Sequence, residues 1–151
     1  MDESQYRQTY QQINHQRCVF EKSLQTRLSA CSQSHRFCLA DREGVACNQE
    51  LAHKRCHTLL DLLRRNANFA LGIPKIDTAL PHNKEIRIQN GGLLGIQQAL
   101  SQGTATTQHI ADIYQLITAS IEKFHSLESL PFDEVVKFIV SYEVKKRRRS
   151  S

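Results

Sequence analysis

Apolar residues recur along most of the chain at the three-and-four spacing of an α-helix. Tyr6, Tyr10, Ile13, Phe20, Leu24, Leu28 and Cys31 share one face, which predicts a long first helix from about residue 4 to residue 29. Ser29 to Ser34 is small and polar and reads as a break. The short apolar piece Phe37-Cys38-Leu39-Ala40 then runs to Gly44, where a helix C-cap is expected. Asn48 suits an N-cap for the next helix, whose stripe is Ala52, Cys56, Leu59, Leu60, Leu63, Ala67 and Ala70. Gly72 and Pro74 end it.

A connector punctuated by Pro74 and Pro81 follows. Glu85 to Gln89 alternates with period two and suggests a short extended segment without a partner strand. Leu93 to Ser101 reads as a short helix. Thr104 to Thr107 offers caps for a longer one carrying Ile110, Ile113, Tyr114, Ile117, Ile121 and Phe124. Pro131, Asp133 and Glu134 open a last helix, with Val135, Val136, Ile139, Val140 and Tyr142 as its buried side. These patterns predict an all-α chain, one irregular bundle of four or five main helices. The expected organisation is one domain over 1–144: a Cys-containing half (1–72), a connector (73–90) and C-terminal helices (91–144). A basic tail, 145–151, follows it.

Charge changes this picture only at its end. The chain has 151 residues and a formal net charge of +5, and the run Lys145 to Arg149 supplies five cations by itself. Without that run the body is neutral, so nucleic acid is an expected partner only through the tail. No apolar stretch of membrane-spanning length occurs, and Met1 to Gln5 lacks the form of a secretory signal. The expected compartment is the reducing cytoplasm.

The candidate chemistry lies in cysteine. Cys18, Cys31, Cys38, Cys47 and Cys56 all fall in one window, spaced C-x12-C-x6-C-x8-C-x8-C, with none afterwards. Thiolates are soft ligands suited to iron–sulfur clusters or zinc. No C-x2-C knuckle is present, and the spacing differs from the paired C-x9-C of twin-cysteine helical hairpins. Geometry sets conditions. On one continuous helix Cys47 and Cys56 would be separated by about 900° and face opposite ways. Convergence therefore requires breaks near Ser29–Ser34 and Gly44, and Cys47 in the turn before its helix. Cys38, between Phe37 and Leu39, reads as a small core hydrophobe. The expected ligands are Cys18, Cys31, Cys47 and Cys56.

Other constellations carry less. Glu50/His53 and Glu122/His125 have di-iron spacing, but both glutamates fall on the solvent side of their helices. His53 and His57 could chelate weakly with Glu50. Gly91-Gly92-x-x-Gly95 matches no phosphate-binding loop and reads as close helix packing. No nucleophile elbow or H-E-x-x-H motif points to an enzyme. The leading expectation is a small helical metal-binding protein holding an iron–sulfur cluster or zinc, in electron transfer, sensing or structure. The alternative is a metal-free helical interaction or adaptor protein with buried structural cysteines. Either reading expects a protein partner or a second copy of the chain.

Overall fold

Asp2 starts the first helix with a capping box, its carboxylate accepting from the Gln5 amide at 2.7 Å while the Gln5 side chain accepts from the Asp2 amide. That helix, α1 (Glu3–Ile13), stops far short of the expected residue 29. The computed structural model describes residues 2–68, 70–72 and 81–144. Residues 73–80 of the connector, Pro74 among them, and the basic tail Lys145–Arg149 lie outside them. After α1 come α2 (Glu21–Gln25), strands β1 (Ser34–Leu39) and β2 (Arg42–Cys47), and the long α3 (Glu50–Asn68). The C-terminal part holds α4 (His82–Ile86), a π-turn (Arg87–Gly91), α5 (Gly92–Leu100), α6 (Ile113–Phe124), a short 3-10 turn (Leu127–Ser129) and α7 (Phe132–Ser141).

The all-α expectation is corrected by the hairpin: the fold is mixed, with β1 and β2 antiparallel beside the helices. Its turn is Ala40-Asp41, with φ of 49° and 67°. Two successive positive φ values make the kind of turn that matches strand twist, usually built from Asn-Gly. Gly44 is not a helix cap. It sits within β2 opposite Phe37, whose ring would lie 2.4 Å from a Cβ placed there. Replacing Ala40-Asp41 with Asn-Gly is expected to stabilise the fold by about 1 kcal/mol, read as a shifted urea midpoint with unchanged slope.

The first apolar stripe continues past residue 13 because the fold uses it twice. Asn14 ends α1, its side-chain amide donating to the Tyr10 hydroxyl at 2.8 Å and to the Val45 carbonyl at 3.2 Å. The chain then runs extended beside β2, with the Cys18 amide donating to Val45 and the Cys47 amide to Gln16. Phe20 and Leu24, both fully buried, belong to α2 and its entry. A second bridge forms later: Ser29 pairs in parallel with Ile110, so residues near 110 are extended and α6 begins at its cap Asp112, not near Thr104.

The extended segment expected at 85–89 is helical. The chain passes through α4, the π-turn and α5 without leaving helical dihedrals, and Ile86, Ile88, Gln89 and Asn90 are all buried. A segment buried on every side carries no reliable period. Gly91 and Gly95 turn one small face to α7, where a Cβ on Gly91 would lie 2.6 Å from the Ile139 Cα. One core joins both halves, including Phe20, Leu24, Val45, Leu63, Ile88 and Ile139.

Candidate metal centre

Four of the five cysteines line one narrow cleft. They are Cys18, Cys31, Cys47 and Cys56. Each comes from a different piece of the fold, so the convergence is tertiary. Cys18 sits in the extended stretch paired with β2, Cys31 follows the bridge to Ile110, Cys47 ends β2, and Cys56 lies inside α3. Cys47 thus precedes its helix, and the turn spares it the opposite orientation that one continuous helix would impose. Cys38 is exposed on β1, opposite Glu43, and is not the core residue expected.

Cys18 and Cys31 occupy matching turns. The Glu21 amide donates to the Cys18 carbonyl at 3.2 Å, and the Ser34 amide to the Cys31 carbonyl at 3.3 Å. In each turn the amide two residues on, Phe20 or Gln33, lies against the cysteine sulfur and favours its thiolate. Cys31 has a second such amide, from Tyr114 in the first turn of α6. Asp112 holds this arrangement, accepting from the Ser32 amide at 2.9 Å and the Tyr114 amide at 3.0 Å. Cys31 therefore faces the positive end of α6. Cys47 donates from Sγ to the Gln49 carbonyl at 3.3 Å.

Burial is the main force on the thiols. It pushes Cys18 up to about 12 and raises Cys31 and Cys56 as well. For Cys56 the next causes are the charges of Cys18, Cys31 and Cys47; Cys31 and Cys47 also raise Cys18, and Cys47 raises Cys31, behind the amide contacts that lower both. Burial favours the protonated form of Cys18, Cys31 and Cys56; a bound cation would reverse that balance.

A sign follows for the metal-free protein. Cys18 titrates higher folded than unfolded, so its stabilising contribution is complete below about pH 9 and is lost as pH rises toward 12. Unfolding free energy is expected to fall across pH 9–11, with Cys18 contributing about 1.4 kcal/mol per unit. In Cys18→Ser that part of the slope should vanish. An unchanged slope in the variant would show that the thiol is not held protonated.

Among the described residues, no three His, Cys, Asp or Glu side chains gather tightly enough to hold one ion. The four cysteines share one cleft without meeting at a point. The cleft wall is otherwise mostly apolar, with Phe20, Ala52, Ile113 and Ile117 among its residues. Sequence spacing gave no sign of Gln33 and Tyr114, whose amides serve the sulfur of Cys31. Their only trace is that Cys18 and Cys31 each precede a turn.

The remaining motifs separate in space. Glu50 and Glu122 are exposed, and His125 ends α6 with φ of 73°. His53 spends Nε2 on the Arg17 carbonyl at 2.9 Å, which pins residue 17 instead of chelating with His57. No helix among the described residues is long and apolar enough to cross a membrane. No protein-family description, curated protein or solved structure matches this chain.

Proposed function

We propose that this protein holds one iron–sulfur cluster through the thiolates of Cys18, Cys31, Cys47 and Cys56, in electron transfer, sensing or a structural role. The observation that carries the reading is four cysteines from separate elements lining a single cleft while the fifth is exposed elsewhere. That no three ligands gather at one point among the described residues favours a cluster over zinc. Zinc draws four sulfurs to about 2.3 Å from one centre. A cluster spreads the four cysteines over two or four irons, so the ligands need not meet at one atom. Backbone amides at Cys18 and Cys31 are the hydrogen bonds by which a protein tunes cluster potential. Thiols kept reduced for this purpose suit a cytoplasmic setting.

Anaerobic reconstitution with ferrous iron and sulfide tests it. The expected product is coloured, with iron and sulfide in near-equal amounts and little zinc. Cys31→Ser should lose at least tenfold of the bound iron, and Cys38→Ser none. A folded wild-type chain that stays colourless and iron-free would overturn the reading in favour of a metal-free interaction protein, and stoichiometric zinc would replace the cluster with a zinc site.

A further inference from the structure

A second cleft, of about 1030 Å³ with its mouth, adjoins the cysteine cleft and shares Cys18, Val19 and His53 with it. Two arginines line it, each paired with a buried glutamate. Arg17 places Nε at 2.8 Å and Nη2 at 2.6 Å from Glu21 Oε1, and the Glu21 side chain is only 4% exposed. Arg64 places Nη2 at 2.6 Å from Glu85 Oε1, and that side chain is 6% exposed. Both carboxylates are otherwise engaged. Glu21 accepts from the Tyr10 hydroxyl and the Val45 amide, and Glu85 accepts from the Gln89 side chain. Asp61, the third acid of the cleft, is paired with Arg65 at 2.9 Å.

The carboxylates thus lie underneath and the guanidinium groups above them. Arg17 remains 60% exposed and Arg64 36%. Lys22 and His57 line the same cleft, with Val19 and Leu60 as its apolar portion. Among the described residues Lys22 has no ion pair within 4.0 Å. Arg17 meets Glu21 through both Nε and Nη2, which fixes its plane and leaves Nη1 for a ligand, while Arg64 is anchored on Glu85 through Nη2. The backbone of residue 17 is pinned as well, by His53.

We infer that this cleft is a binding site for a small organic anion, its carboxylate or phosphate held by Arg17, Arg64 and Lys22 and its apolar part on Val19 and Leu60. The site does not depend on what the cysteines hold. Its position means that a ligand there lies beside Cys18, which lines both clefts.

Calorimetric titration of the full chain with inorganic phosphate and with succinate, at low salt, tests the assignment. At least one should bind saturably at one site per chain and weaken steeply with added salt. Tighter phosphate identifies a phosphoryl ligand, and tighter succinate a carboxylate; either supports the site. Arg17→Lys with Arg64→Lys keeps both ion pairs but removes the planar fork, and should weaken binding at least tenfold. Lys22→Ala should weaken it about threefold. Failure of both probes to bind the wild-type chain, or equal binding by all variants, would overturn the inference.

Discussion

Replacing Glu21 with alanine is expected to lower the unfolding free energy by about 2–4 kcal/mol, the cost of leaving two buried donors unsatisfied while the exposed Arg17 returns to water. Three groups converge on this carboxylate: the Tyr10 hydroxyl, the Val45 amide at 2.8 Å and the Arg17 guanidinium. All are donors. Burial, and then Glu21 itself, raise the Tyr10 phenol far above its ordinary value, so it stays protonated and donates. Alanine leaves the Val45 amide and the Tyr10 hydroxyl without an acceptor inside the fold. Glutamine should recover only part of the loss, because its amide nitrogen must face one of the donors. The same carboxylate joins α1, β2 and the Cys18 turn, so iron uptake should fall with stability. Urea unfolding of the two variants checks this. A loss below about 1 kcal/mol would mean that water enters and serves the donors.

The second large effect lies on the other side of the core. Gly91→Ala is expected to cost about 2–3 kcal/mol, with a melting temperature lower by roughly 4–12 °C. The added methyl would lie 2.6 Å from the Ile139 Cα and 2.7 Å from the Phe138 carbonyl oxygen. Both are backbone atoms of α7, so no side-chain rotation can relieve the contact; the helix itself must move. Alanine has better helix propensity than glycine by about 1 kcal/mol, which offsets part of the clash. Gly95 makes the same approach one turn later, 3.0 Å from the Val135 backbone. Its alanine variant should cost less, and the double variant should cost less than the sum because one movement of α7 relieves both. Differential scanning calorimetry of the three proteins decides the matter; an unchanged Gly91→Ala melting temperature would refute the packing argument.

Much of the helical part was legible. The Leu59–Leu63 stripe and the Pro131 start mark α3 and α7, and Gly91-x-x-x-Gly95 reads as close packing because no phosphate-loop spacing competes. The hairpin was hidden for a local reason. Ala40 and Asp41 adopt positive φ without the Asn-Gly signature, and Gly44 serves the Phe37 ring instead of a turn. The break after Ile13 was hidden because Phe20 and Leu24 keep the helical period while belonging to another short helix. Residue chemistry could choose the cysteine set by type and by clustering. The amides against Cys18 and Cys31 could not be read, since they depend on backbone direction and on α6, more than 80 positions beyond Cys31 for Tyr114.

That last dependence bears on how the cleft comes into being during synthesis. Every cysteine is present once residue 56 has been made. The wall contributed by Ile113, Tyr114, Ile117 and Thr118 is not, nor is the Ile110 backbone that pairs beside Ser29. A nascent chain therefore presents all five thiols to the solvent before it can enclose any of them. The cleft is therefore complete only once α6 has docked against the part of the chain that carries the cysteines.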